Sequence, residues 1–358
     1  MQDEPRSDLL IRAAGAYSRV VADPTVFGPD AARLVAEART ANEPAAVVLA
    51  LRAEAWFERT RLAHVRARAL LDEAIRMART LGWAALLGQV LVTRGAVNHE
   101  LGRLTAARRD FARAAPLIGP EMATDLASHQ AALCQNTGRL AEAAVLYRRV
   151  LADPSTPPQV QAMAANNLGI IEAQCDRPEV ALAYFGEAAA AAENFPAVTA
   201  VVAESRAAAT VQAGRLTEGL ALFEDAGRLW SAAGLPLGEL YVEYADVLMD
   251  LRLIPEATEQ TRLALEMFES QGVALMAAEA QLRAARLAQL RHDLQGAETA
   301  AEIAADQLRR QGRPSWTARA RLVAVDSRLQ RGTSRVADLT VARRAAATLA
   351  RAGMTSSA

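Results

Sequence analysis

The sequence predicts an all-α chain wound as an α-α superhelical solenoid of helix pairs, and three observations carry that reading. Small residues recur at a fixed period: Ala67, Ala107, Ala143, Ala181, Gly219, Ala257, Ala297 and Ala337 are spaced 40, 36, 38, 38, 38, 40 and 40 residues apart. The same register repeats around that slot. Four residues after it stand Leu71, Phe111, Tyr147, Phe185 and Phe223, and seven after it Ala74, Ala114, Ala188, Ala226, Ala264 and Ala304. The composition agrees, since 52% hydrophobic with only 4% aromatic residues suits helices whose small side chains let their axes approach. A period of this length means that each unit buries its apolar face only by stacking on its neighbours.

Each unit reads as two antiparallel helices, A and B. In the second, helix A runs from about Leu86 to Leu101, Gly102-Arg103-Leu104 make the turn, and helix B begins near Thr105. Gly102, Gly138, Gly214 and Gly332 lie five residues before the small-residue slot, where glycine takes the left-handed conformation that ends a helix. Thr105 and Thr217 are placed to cap helix B, and Pro255 sits where a first-turn proline is tolerated. Pro120, Pro154, Pro196, Pro236 and Pro314 punctuate the links between units.

Eight units align, over about 48–82, 86–121, 123–156, 160–196, 198–235, 236–275, 276–314 and 315–351. The predicted organisation is an irregular N-terminal helix pair or cap over 1–44, the superhelix over 45–351 and a disordered tail over 352–358. In the first pair, Ala32, Val35 and Ala36 share one face of the second helix, and residues 23–29 are expected to form a long turn. The last unit carries Arg344 in the slot that is usually Ala.

The net charge of −1 argues against a generic nucleic-acid footprint, although all 40 basic residues are Arg. Charge is uneven along the chain. From Pro236 to Asp306, 13 acidic residues face five Arg, whereas Gln307 to Ala358 holds 11 Arg and two Asp. This asymmetry reads either as neutralisation between neighbouring units or as an end that docks onto another body. Two cysteines, Cys134 and Cys175, are neither a disulfide framework nor a metal set and fall at helix-packing positions. No signal peptide and no 18-residue apolar run is present, so a cytoplasmic protein without a membrane partner is expected.

The small residue, the turn glycine and the Ala–Phe/Tyr–Ala series resemble the tetratricopeptide repeat. Asn166-Asn167-Leu168-Gly169 followed by Ala181-Leu182-Ala183-Tyr184-Phe185 is a close match. The departures are Gly219 for Ala, Thr261 and Ala301 for the aromatic and Val150 for the last Ala. The 38–40-residue period, the Ala/Arg bias and the junction Arg313-Pro314-Ser315-Trp316 also resemble the N-terminal repeat region of actinobacterial CHAT-domain proteins. In those proteins a caspase-like cysteine-protease domain follows the repeats, which implies a recruiting or sensing role for the repeats themselves.

The tetratricopeptide resemblance implies that helix A residues on the concave side bind a protein or peptide. Register nominates Arg52, Trp56 and Arg59 in unit one, Gln89 and His99 in unit two, and Asp125, His129, Gln135 and Asn136 in unit three. Asn166, Asn167 and Gln174 follow in unit four and Glu204 and Gln212 in unit five. Unit six contributes Glu239, Glu243, Asp246 and Asp250, and unit seven Glu279, Arg283 and Arg286. Stacked side-chain amides pair with an extended backbone without demanding one sequence. The unit-six carboxylates lie on one helix face and are expected to pair with Arg283 and Arg286. Asp125 and His129, an i, i+4 pair, lack a third ligand for a metal site.

No catalytic residues, metal or cofactor are expected, for the chain has no phosphate-binding glycine loop and no zinc-protease helix. Three functions stay open: an interaction module controlling an attached or partner effector, the ligand- or peptide-sensing region of a bacterial transcriptional regulator, and a scaffold that stacks head to tail.

Overall fold

A computed structural model describes residues 7–351; the ends of the expected cap and the expected tail over 352–358 lie outside them. The chain is built from α1 (Asp8–Ala22), α2 (Pro24–Thr40), α3 (Pro44–Thr60), α4 (His64–Thr80), α5 (Ala84–Glu100), α6 (Leu104–Ala114), α7 (Ala123–Asn136), α8 (Leu140–Ala152) and α9 (Pro158–Gln174). It continues with α10 (Pro178–Ala192), α11 (Pro196–Gln212), α12 (Leu216–Ala232), α13 (Gly238–Asp250), α14 (Ile254–Ser270), α15 (Ala274–Leu290), α16 (Leu294–Arg310), α17 (Pro314–Gln330) and α18 (Val336–Arg351). From α3 onward these are eight A–B pairs. Each odd-numbered A helix packs on its own B helix, on the preceding B helix and on the next A helix. The A helices therefore form a continuous inner layer, with the B helices outside.

The repeated slots are the places where two helices meet most closely. Ala67, Ala107, Ala143, Ala181, Ala257 and Ala297 are fully buried, as are Leu71, Phe111, Tyr147 and Phe185 one turn later. The aromatic of helix B lies flat over a glycine of helix A. A Cβ on Gly95 would come within 2.2 Å of the Phe111 ring, and one on Gly169 within 2.5 Å of Phe185. That close approach is why the register demands a small residue.

The turns follow the helix C-cap rule. Gly102 (φ 70°) donates to the His99 carbonyl at 2.9 Å, and Arg103 donates to Asn98 at 2.8 Å, the paired bonds that satisfy the last free carbonyls of a helix. Leu62, Asp176, Arg252 and His292 hold the same left-handed conformation at equivalent positions without being glycine. Because this turn delivers the chain straight into helix B, the helices begin at Leu104 and Leu216. Thr105 and Thr217 are thus first-turn residues and do not cap.

Two boundary expectations are corrected. Residues 23–29 are not a long turn: Asp23 alone separates α1 from α2, its carboxylate accepting from the Thr25 and Val26 amides while Pro24 opens the helix. The buried stripe of α2 is Ala31, Leu34, Val35 and Ala38, while Ala32 and Ala36 face solvent. In the last unit the turn from Arg331 to Arg335 is two residues longer than the three-residue turn inside each of the other seven pairs and shifts the register by one. Asp338 and Ala345 are buried where Ala337 and Arg344 were expected, and Arg344 points outward.

The superhelix winds tightly enough for its successive coils to touch. Thr25 meets the turn at Gly234, Val65 meets Gly272, and Gln311 meets Gly102. Leu62 packs with Val242 and Phe268, and Leu275 joins the cluster formed by α3, α5 and α7. Each contact joins units about five apart in sequence, so the inner layer surrounds a narrow axis.

Candidate functional site: the inner face

Most inner residues of the first coil pair with one another, although Arg59 Nε and His129 Nε2 find no hydrogen-bond partner among the described residues. Arg52, buried in α3, donates to Thr93 Oγ1 at 2.9 Å and Gln89 Oε1 at 3.1 Å, and its guanidinium lies 3.6 Å from the Tyr17 ring centroid. Trp56 meets Tyr17 edge-on at 5.2 Å and His129 at 6.3 Å, and Arg59 lies over its other face at 4.3 Å. Arg59 also pairs with Glu100, which is shared with buried His64. Burial alone would raise the Glu100 carboxyl, but Arg59 and His64 outweigh it and hold it at about 2.

Further along, burial pushes His99 down to about 4, so its ring is neutral, and its Nε2 contacts the Asn136 amide at 2.9 Å. Asp125 and His129 stand 3.7 Å apart with His129 stacked on Phe111. Among the described residues no three His, Cys, Asp or Glu side chains gather as a metal set.

The first coil is locked to the second through Arg313. This fully buried guanidinium pairs with Glu279, donates to the Leu275 carbonyl and reaches the main-chain and side-chain oxygens of Asn136 at 3.3 and 3.2 Å. Asn136 is consumed by this link. Gln135 accepts from Tyr147, and Gln212 is an inter-unit strut donating to the Ala173 carbonyl at 3.0 Å. Cys134 is a core thiol, which burial raises to about 11, and Cys175 packs beside the same cluster.

The middle of the array differs. Asn166 occupies, by repeat register, the position of Arg52 and Leu282, and it is 1% exposed. Neither its Nδ2 nor its Oδ1 finds a partner among the described residues, and Gln174 Oε1 at the end of the same helix is likewise unpartnered. Glu204, one unit later in the same register, has no cation beside it, and burial raises its carboxyl well above the usual range.

In the second coil the expected pairing is half realised. Arg283 meets Asp246 at 2.7 Å, and Glu243 and Glu279 stand near 3.9 and 3.8 Å. Arg286 forms no such pair among the described residues, although it partly offsets the burial that raises the Asp250 carboxyl. The uneven charge of units six to eight is largely neutralised within the fold, with Arg328 bridging Glu298, Glu302 and Asp338 and Arg331 reaching Glu298. Sequence reasoning missed Tyr17, His64, Glu100, Arg313 and Arg319. Only Arg313 gave a signal, as part of the junction before Trp316.

No helix among the described residues is long and apolar enough to cross a membrane. No family model matches the chain, and no curated protein matches its sequence. Solved structures do. A Rap protein complexed with Competence and Sporulation Factor is similar over 86% of this chain and 87% of its own, at 10% identity and a TM-score of 0.64. Aspartyl phosphate phosphatase F from Bacillus subtilis covers 99% of this chain and 96% of its own at 11% identity and a TM-score of 0.48. A STAND protein with a tetratricopeptide repeat sensor from Pyrococcus horikoshii covers 90% and 52% at 12% identity and 0.47. Fold and comparison agree that the chain is a tetratricopeptide-like α-α solenoid.

Proposed function

We propose that the chain is an interaction module that captures a protein or peptide segment against the inner face of its middle units. The carrying observation is a pair of amides on α9, buried Asn166 and half-buried Gln174, with unused hydrogen-bonding atoms among the described residues. A buried polar group without a partner costs about 1–3 kcal/mol, so an extended backbone laid along α9 recovers what the free fold forgoes. The similar Rap structure, complexed with Competence and Sporulation Factor, supports the same use of such an array.

Replacement of Asn166 by Leu separates capture from mere packing. The variant is expected to gain about 1 kcal/mol in chemical denaturation and to lose capture in a pull-down from the native host. Full capture by Asn166→Leu, Gln174→Met would overturn the reading.

In the same proposal the module acts in the cytoplasm as the sensing or recruiting half of a larger system, with a caspase-like protease of the CHAT type as effector. The resemblance of the repeats supports this, although Arg313 and Trp316 of the junction also have the structural roles given above. Reading the gene past Ala358 decides the effector: a Cys/His protease supports it, and a helix-turn-helix segment replaces it with a transcriptional regulator.

A further inference from the structure

Units two to five each place an arginine directly before helix B: Arg103, Arg139, Arg177 and Arg215. In three of these units a carboxylate of the same unit holds it. Arg139 donates to Glu142 at 2.9 Å and Arg215 to Glu218 at 2.6 Å, each three residues on, and Arg177 donates to Glu172, five residues back, at 2.5 Å. Unit two has neither carboxylate. Ala106 stands three residues after Arg103 and Asn98 five before it, and the Arg103 side chain makes no hydrogen bond or ion pair among the described residues.

A cavity of about 180 Å³ opens at that place, walled by α4, α5, α6 and the turn that carries Arg103. Its floor is neutral. Arg94 donates to both oxygens of buried Asp110 at 2.9 and 2.6 Å and to Asp72 at 2.8 Å, and Arg68 stands 3.6 Å from Asp72, so two cations cancel two anions. Its rim is not neutral. Exposed Arg103, Arg109 and Arg113 border the same space, and Arg109 and Arg113 also lack a partner among the described residues. Three charges of one sign around a cleft focus a positive potential in it. The acidic residues nearby in sequence are already engaged. Of the four between residues 61 and 113, Asp72 and Asp110 hold Arg94, Glu73 holds Arg39 and Glu100 holds Arg59.

We infer that this cavity binds a phosphoryl dianion, which stands in for the carboxylate that the neighbouring units supply from their own sequence. Three uncompensated charges suit a dianion better than a monocarboxylate, and guanidinium forks match phosphate oxygens two at a time. The volume falls below the roughly 300 Å³ at which sites for drug-sized molecules begin. It therefore admits one tetrahedral ion, or the end of a phosphate ester whose carrier stays outside. The site uses α4, α5 and α6 and none of the α9 amides, so it does not depend on the capture of a protein or peptide.

Calorimetric titration of the full chain in low-salt buffer with inorganic phosphate, and separately with methyl phosphate, tests the site. A Kd of about 1 mM or tighter is expected for at least one of them. The tighter of the two names the source, free ion or ester, and either order supports the site. Ala106→Glu restores the carboxylate of units three and five and should lower affinity about tenfold or more. The same change should leave the melting temperature no lower, because the new glutamate gains Arg103 as its partner. Arg109→Gln and Arg113→Gln should each weaken binding severalfold, whereas Arg108→Gln, an equally exposed neighbour outside the cavity, should not. Equal losses in Arg108→Gln and Arg109→Gln would mean a diffuse charge atmosphere and overturn the assignment. Unchanged affinity in Ala106→Glu overturns it too, as does the absence of binding heat with either probe at about 10 mM.

Discussion

The inner faces of the first and second coils share one register and similar residue types, yet they end in different states. In units one to three Arg52, Arg59, Trp56 and His99 each pack on a neighbour of the same coil or the first helix pair: Thr93 and Gln89, Glu100, Tyr17 and Asn136. Arg59 Nε and His129 Nε2 are left without a hydrogen bond among the described residues, but with no cavity beside them of the kind the second coil has. In units six to eight Arg283, Arg286 and Arg319 line a cavity in which hydrogen-bonding atoms remain unmatched. The difference comes from what lies across the axis. The first coil receives Tyr17 from α1 and Arg313 from the second coil, and nothing equivalent fills the second. A repeat register assigns a face; the winding of the superhelix decides whether that face is already occupied by the chain itself.

The link between the coils is the sharpest place to break this comparison. Arg313→Ala removes the closer cation from a buried pair and leaves Glu279 with Arg283 alone at 3.8 Å, which costs about 3 kcal/mol. It should also loosen the contact between Asn136 and Leu275, 139 residues apart in sequence (from 136 to 275), because Arg313 bonds to both. Urea denaturation reads the first effect, and a larger radius in X-ray scattering reads the second. An unchanged midpoint would mean that the coils are held together elsewhere.

A smaller effect contrasts the two tryptophans. Trp56→Ala removes a ring packed on Tyr17, Arg59 and His129 and is expected to lower stability by about 3 kcal/mol. Trp316→Ala removes a partly exposed ring between Arg313 and Arg319 and should cost only about 1 kcal/mol. Equal losses in urea denaturation would mean that the inner faces of the two coils are packed alike.

What the sequence showed and what it hid follow from the range of the contacts. The pairing of Gly95 with Phe111 and of Gly169 with Phe185 joins residues 16 apart and falls in a register whose small-residue slot recurs eight times, so periodicity alone exposes it. The first helix pair was misread because Pro24, Gly28 and Pro29 look like a loop, whereas Asp23 caps the helix and Gly28 admits the Phe57 ring. The last unit was misread by one residue because its link is longer than the period allows. Of the amides that register nominates, Asn136 and Gln212 serve as struts and Asn166 does not. That distinction depends on Arg313, 177 residues from Asn136, and no local pattern reports it.

The smallest expected effect is the share of the pH dependence carried by two inner-face carboxyls of the second coil; buried Glu204 of unit five adds to it in the same sense and buried His99 of the first coil opposes it. Burial, with Glu100 across the axis, raises Glu239 to about 7. Burial also raises Glu243 to about 7, with Arg283 opposing and Asp246, Glu279 and Glu239 adding to it. Arg59 of α3 and His64 of α4 face Glu239 from the first coil and pull the other way. A carboxyl whose folded pKa exceeds its unfolded value of 4.5 favours the fold fully below pH 4.5, and that contribution is lost as pH rises through 7. Glu100, held at about 2, acts in the opposite sense: its contribution is present above pH 4.5 and is lost as pH falls toward 2. Glu239 and Glu243 should therefore each lower the melting temperature as pH rises from 5 to 8. Glu239→Gln should remove its share, raising the melting temperature by about 2 °C at pH 8 while leaving it unchanged at pH 5. A melting temperature at pH 8 unchanged from wild type in Glu239→Gln, Glu243→Gln would place both carboxylates in open water.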